Sequence, residues 1–376
     1  MTILIFIISL AVLILVHEFG HFIVAKKSGI RVDEFGLGFP PRLLSKKWGE
    51  TTYTLNAIPF GGFVKIFGED PERNSELESS ISYGAGPAKD KDIERNFQYK
   101  SKWIQAAVLV AGVTMNIVFA WLLISIGFMI GLPTPVGGGT GKVINPHVVV
   151  VEIVPNSPAE SVGLRVGDTI LSLVSSAKAL KDSDLTVESA QNFIKQSQGN
   201  VGVVYTRGDS TFQTVVVEPN TTVVPGQRAI GVGMEMIGLL QLSPPRAFLE
   251  GAKTTWLLTK GTAVGLGTFL WNIVTLKGDF SQVSGPVGIA KVVGEARVLG
   301  FVYLLSLVAL ISINLAIINL LPFPALDGGR LLFVGIEAII GRPISPKVVR
   351  LANSIGFTLL LILMVLVTGH DIIKLF

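Results

Sequence analysis

The chain contains no cysteine and only four histidines in 376 residues. Without thiols there are no disulfides and no thiolate metal sites, so any bound metal must rest on His, Asp or Glu. Charge is also scarce. Only 15% of residues are Asp, Glu, Lys or Arg and 49% are hydrophobic, whereas a soluble domain carries about 25% charged residues. That depletion, with a mean hydropathy of +0.59, excludes an ordinary soluble protein and implies an integral membrane one. The net charge of +4 raises the question of nucleic acid, but the cations cluster beside apolar runs. That is the pattern of membrane orientation, and no nucleic-acid partner is expected.

Four runs are apolar enough to cross a bilayer at about 20 residues each: residues 2–25, 103–132, 299–321 and 348–368. The first lacks a basic leader region, so it is expected to be a retained span. Lys26, Lys27, Arg31, Arg42, Lys46 and Lys47 follow it, Lys100 and Lys102 precede the second, and Arg330, Arg342, Lys347 and Arg350 separate the last two. Positive residues favour the cytoplasmic side, so both termini are expected to face outward. Residues 256–276 form a weaker fifth run, interrupted by Lys260 and several glycines. With Trp256 and Leu257 beside Lys253, it resembles a helix lying in the interface, within a juxtamembrane amphipathic segment over 243–297.

Between the second and third spans the composition changes. Residues 143–237 hold short β-branched runs separated by turn residues and one helical stretch near 187–196. This pattern predicts a small β-rich domain on the outer face, entered through a Pro- and Gly-rich linker over 133–141. The acidic and basic stretch 69–95 is expected to be a solvated cytoplasmic loop. His147 and His370 are expected to have no chemical role.

The first run carries the chemistry. Its only ionisable side chains before Lys26 are His17, Glu18 and His21, in a setting where a charged group costs at least about 2.5 kcal/mol. Positions i and i+4 share a helix face, so both imidazoles can reach one ion, and the adjacent glutamate can act as general base. The competing reading is a histidine pair satisfied by neighbouring helices. A catalytic zinc needs three protein ligands and one open position. The best candidate for the third is Asp327, which follows Pro322 and Pro324 where a helix can break around a cavity. Elsewhere an Asp-Gly-Gly is usually a turn.

His17-Glu-Phe-Gly-His21 with Asn319-Leu-Leu-Pro-Phe-Pro-Ala-Leu-Asp327-Gly-Gly resembles the site-2 protease family (M50-type), intramembrane zinc metalloproteases, in its bacterial RseP-like branch. Asp33-Glu-Phe-Gly-Leu-Gly-Phe, Ile58-Pro-Phe-Gly-Gly-Phe-Val-Lys65, Ala111-Gly112 through Asn116, and Ser284-Gly-Pro-Val-Gly-Ile-Ala match in order, so the resemblance covers nearly the whole chain. It implies one zinc per chain, held by His17, His21 and Asp327, with Glu18 as catalytic base. It also implies that Asn314 and Asn319 lie near bound substrate, although an intramembrane Asn often only bonds helices together.

Residues 51–55 and 61–65 are expected to be strands. Gly61, Gly62, Phe63 and Val64 are either an ordinary hairpin or, as the resemblance favours, an edge that holds an unwound substrate by strand addition. The insert resembles a PDZ domain through the segment from Val149 to Leu171, and Ile230, Gly231 and Val232 resemble its peptide-receiving groove. Only one such domain fits, and it either binds peptide ends or excludes bulky outer domains by its size.

The expected fold is a polytopic α-helical membrane protein with about four spans, a membrane-associated β-hairpin region and an inserted extracytoplasmic PDZ domain. Its parts are residues 1–25 (first span), 26–102 (β-loop region), 103–132, 143–237 (PDZ), 298–341 (third span with Asp327) and 347–370. The expected function is zinc-dependent hydrolysis of transmembrane segments, in anti-sigma factors or remnant signal peptides, within the bacterial inner membrane. The alternatives are a non-catalytic PDZ-bearing adaptor and a metal transporter. A transporter would need further polar residues across the second and fourth spans, and those spans have almost none.

Overall fold

In a computed structural model, residues 2–69, 94–137, 141, 143–176, 178–181, 184–208, 211–275 and 284–373 are described. Most of the expected solvated loop over 69–95 and part of the expected linker lie outside them. The chain divides into two compact bodies: Met1–Leu123 with Ala252–Val293 and Val308–Phe376, and Ile124–Gly251 with Gly294–Leu307.

In the first body, α1 (Thr2–Lys27) is followed by β1 (Val32–Trp48) and β2 (Thr51–Ile66), and then by α2 (Lys102–Ile130), which continues into the second body. α1 ends where Gly29 takes a left-handed φ of 70° and the Ile30 amide bonds the Ala25 carbonyl, a glycine-type stop. The two expected strands are one continuous strand, β2, and β1 was not expected as a strand at all. Its polar, glycine- and proline-containing sequence lacks the alternation that marks a half-buried strand. Both strands bend. Glu34 to Leu37 pair with Lys65 to Gly62 on one side and with Thr52 to Leu55 on the other, while Arg42 to Trp48 pair with Asn56 to Thr51. Among the described residues no further strand pairs beyond Gly62–Ile66, which is therefore an open edge.

The second body holds β3 (Leu132–Pro135), β4 (Ile144–Ile153), α3 (Pro158–Ser161), β5 (Asp168–Val174), β6 (Ala179–Lys181), α4 (Val187–Gln196), β7 (Val201–Arg207), β8 (Gln213–Val217), β9 (Asn220–Val224), β10 (Gln227–Ala229) and β11 (Val232–Leu240). The main sheet runs β3-β11-β4-β5-β7-β8. Val201, Val203 and Tyr205 alternate into its core against Ile170, Leu173 and Ile194, as a strand buried on one face requires. The expected linker is therefore partly structural. Pro133 and Pro135 belong to β3, paired with Leu239 and Ile237. An edge strand accepts proline because one of its sides needs no ladder donor.

The expected juxtamembrane segment contains two helices, α5 (Pro244–Val274) and α6 (Pro286–Leu299). Residues 276–283, with Lys277, lie outside the described residues. The last helices are α7 (Phe301–Leu320), α8 (Asp327–Ile340) and α9 (Pro346–Ile373). α1, α2, α7 and α9 are long and apolar enough to span a membrane. Leu359, Leu361, Ile362 and Leu363 are outward-facing on α9, as a lipid-facing helix requires and a soluble one forbids. The protein is thus a membrane α-helical protein with a sheet domain.

α7 stops because Pro322 and Pro324 supply no backbone donors. The turn carries Ala325 at φ 73° and folds back over α8, where a Cβ on Gly328 would meet the Leu321 carbonyl oxygen at 2.2 Å. α9 braces this turn: Asn353 Oδ1 accepts from the Ala325 amide at 3.2 Å. Asp327 is the first residue of α8, where its negative charge suits the positive end of the helix dipole.

Candidate metal centre

Two helices bring the donors together. His17 and His21 lie one turn apart on α1, both buried. Their Nε2 atoms are 3.2 Å apart. Asp327 Oδ2 lies 2.9 Å from His17 Nε2 and 3.2 Å from His21 Nε2. A tetrahedral ion with bonds of about 2.0–2.1 Å holds its ligand atoms about 3.3 Å apart, so this triangle is close to the required size. His21, His17 and Asp327 form the one His, Cys, Asp and Glu cluster of metal-binding geometry among the described residues.

α2 forms the wall of this site. The His21 Nδ1–H donates to the Val108 carbonyl at 2.8 Å, which leaves Nε2 bare and directed at the cluster. A metal-ligating imidazole is commonly oriented in this way. One turn along α2, Gly112 faces both rings: a Cβ there would stand 2.4 Å from His21 Nε2 and 2.8 Å from His17 Nε2. The space for an ion exists because this residue has no side chain. A further turn along, the Asn116 amide lies 3.2 Å from His17 Nδ1, and the Asn116 carbonyl accepts from Ser312 Oγ of α7 at 2.8 Å. The donor set, its size and the glycine cradle all fit a zinc ion with one coordination position left open.

Glu18, one residue on from His17 and so about 100° round α1, is half-buried beside β2. The hypothetical Cβ of Gly62 lies 3.4 Å from Glu18 Cγ, and the Val64 backbone lies beside the Glu18 carboxylate. The open strand edge therefore passes directly over the glutamate. Gly61 takes φ 115° with the Phe39 ring against it, and the Phe63 ring covers Gly36. Glu34 anchors the sheet through Arg42 at 2.7 Å, Lys65 at 2.6 Å and Thr54 at 3.1 Å. Burial alone would raise the Glu34 carboxyl, but the Lys65 and Thr54 hydrogen bonds and the charges of Lys65 and Arg42 hold it below its ordinary value.

The two asparagines expected near substrate part company. Asn319 Nδ2 reaches His17 Nε2 at 3.5 Å. Asn314, five residues earlier, is turned about 140° away around α7. Ser312, seven residues before Asn319, shares its face and meets α2. Arg330 on α8 pairs with Glu69 beyond β2, a link not expected from the sequence. Asn116 and Gly112 also escaped assignment. Their four-residue spacing, matched to that of His17 and His21, was the available signal.

In the second body, Ile230 is a core residue at 2% exposure whose carbonyl accepts from Ala159. Gly231 takes φ 84° against Ser157. Val232 opens β11, and Val232 to Glu235 pair with β4 on one side and with no strand on the other among the described residues.

A family model described as peptidase family M50 matches residues 5–363. The Clostridium perfringens protein CPE1693 is 35% identical over 97% of both chains. The zinc metalloprotease RasP of Oceanobacillus iheyensis is 29% identical over 100% of this chain and 99% of its own. The regulator of sigma-W protease RasP of Bacillus subtilis is 29% identical over the same shares.

Proposed function

Because this chain belongs to peptidase family M50 and is an intramembrane zinc metalloendopeptidase, we propose that His17, His21 and Asp327 hold its zinc and Glu18 is its catalytic base. The observation that carries this reading is the meeting of donors 310 residues apart around a space that one glycine keeps open. Zinc held there supplies a Lewis acid and an activated water. Glu18, beside the open edge of β2, takes the proton of the attacking water and returns it to the leaving amide nitrogen.

The substrate is a transmembrane segment of a membrane protein, of the anti-sigma-factor or remnant signal-peptide kind. A helix hides its peptide bonds, so it must unwind, and the Gly62–Ile66 edge offers the backbone partners that an extended segment needs. Gly61 and Gly62 let that segment approach Glu18 closely, and Asn319 borders the same space. Asn314, about 140° round α7 from Asn319, is read as a helix-packing residue instead.

The inserted sheet domain is read as a PDZ domain outside the membrane, with Val232 to Glu235 as its groove edge. The cations after α1, before α2 and between α7 and α9 put the catalytic end of α1 nearest the cytoplasm. The α5 segment is read as lying on the membrane, leaving four spans.

The test is cleavage of a single-span substrate in proteoliposomes by wild type and Glu18→Gln, with zinc content measured in both. Loss of cleavage with about one zinc per chain retained supports the reading. Cleavage by the variant removes Glu18 from the mechanism.

A further inference from the structure

The two imidazoles meet α2 in parallel ways. His21 Nδ1 has a backbone carbonyl, that of Val108, as its fixed partner. His17 Nδ1 has the side-chain amide of Asn116, two turns further along the same face of α2. Asn116 is fully buried, and its Oδ1 has no hydrogen-bond partner. Its backbone is tied to α7 by Ser312, which is also fully buried. Nothing in the proposed proteolytic chemistry uses this amide.

An imidazole whose Nε2 lone pair holds a metal keeps its proton on Nδ1, and that N–H can donate only to an oxygen. The amide nitrogen that faces Nδ1 at 3.2 Å suits the opposite tautomer, in which Nδ1 is bare and Nε2–H donates to Asp327 Oδ2 at 2.9 Å. A half-turn of the amide exchanges the two atoms and presents Oδ1, the partnerless acceptor, to the Nδ1 proton. An asparagine can serve both tautomers in this way. A leucine of similar volume can serve neither.

We infer that Asn116 is a positioning residue for His17, its side-chain oxygen accepting the Nδ1 proton whenever Nε2 binds zinc, as the Val108 carbonyl does for His21. This rests on the reading of His17 as a zinc ligand and adds the group that fixes its tautomer and ring angle.

The experiment measures zinc dissociation constants of the full chain by competition with a chromogenic chelator, for wild type, Asn116→Asp, Asn116→Leu and His17→Ala. Asn116→Leu is expected to weaken zinc binding by about 10–100-fold, the usual cost of losing such a partner. Asn116→Asp, which keeps the acceptor, should stay within several-fold of wild type. Wild-type affinity in Asn116→Leu, or equal weakness in both variants, overturns the inference. Unchanged zinc binding by His17→Ala sinks instead the ligand reading beneath it.

Should the leucine variant fail to fold, ¹⁵N-histidine NMR of the zinc-loaded wild type decides alone, because four histidines give few signals. A His17 Nδ1 proton with the downfield shift of a hydrogen-bonded N–H supports the inference, an Nδ1 proton with the shift of an unbonded one ends it, and an unprotonated Nδ1 sinks the ligand reading instead.

Discussion

Gly20 of α1 and Ala111 of α2 meet backbone to backbone: a Cβ on Gly20 would stand 2.4 Å from the Ala111 carbonyl oxygen. This contact brings the two helices close enough for Val108, Gly112 and Asn116 to face the imidazoles across the gap. The glycine inside His-Glu-Phe-Gly-His thus sets the depth of the candidate metal site, while His17 and His21 supply its proposed ligands. A larger residue would push α2 away and strand both Nδ1 atoms.

Gly112→Ala is predicted to abolish zinc binding, because the new methyl would occupy the space shared by both Nε2 atoms. Gly335→Ala, on an open face of α8, is the matching control and should bind zinc as wild type does. Metal analysis of the two purified variants checks this, and zinc retained by Gly112→Ala would move the site elsewhere.

Asp327→Asn should weaken zinc retention by at least about tenfold, since a neutral amide oxygen replaces the only anionic member of the proposed ligand set. Dialysis against a graded chelator series reads the difference. Retention equal to wild type would mean that the third ligand is another residue.

Glu18→Gln should lower cleavage by about 10²–10⁴-fold, the usual contribution of a general base, with zinc affinity unchanged. A parallel fall in zinc affinity would show that the glutamate supports the ligands instead of the proton transfer.

The bent sheet is predicted to loosen in acid. Glu34 has its folded-state pKa held below the ordinary carboxylate value, so its stabilising contribution is fully present above that value and is lost as pH falls through the depressed one. Hydrogen-exchange protection of β1 and β2 amides, corrected for intrinsic rates, should therefore drop in wild type below about pH 4.5, the ordinary carboxylate range. Glu34→Gln should start less protected and change little over the same interval. Because Arg42 and Lys65 are half exposed, added salt should shrink the difference. A wild type with constant protection would remove Glu34 as the anchor.

Much of this architecture was legible in order along the chain. Four apolar runs became helices close to their expected ends, because length and hydropathy are local properties. β1 stayed hidden, since Pro40, Pro41 and exposed leucines break the alternation, and its strand character comes from two neighbours, 52–55 and 62–65, that only folding supplies. Asn314 and Asn319 looked equivalent as two polar residues in one span, yet helix geometry turns them to different faces and only Asn319 meets the cluster.

The sequence by itself determined that two imidazoles and a carboxylate stand on one apolar helix, because spacing along a helix fixes which side chains share a face. It also determined that a β-rich insert interrupts the spans. Only the tertiary structure decided that Asp327 completes the triangle, that Gly112 keeps it open and that Asn116 faces His17. Those relations depend on where separate helices cross, and the closeness of a crossing is set jointly by small residues on both partners, which no single segment contains.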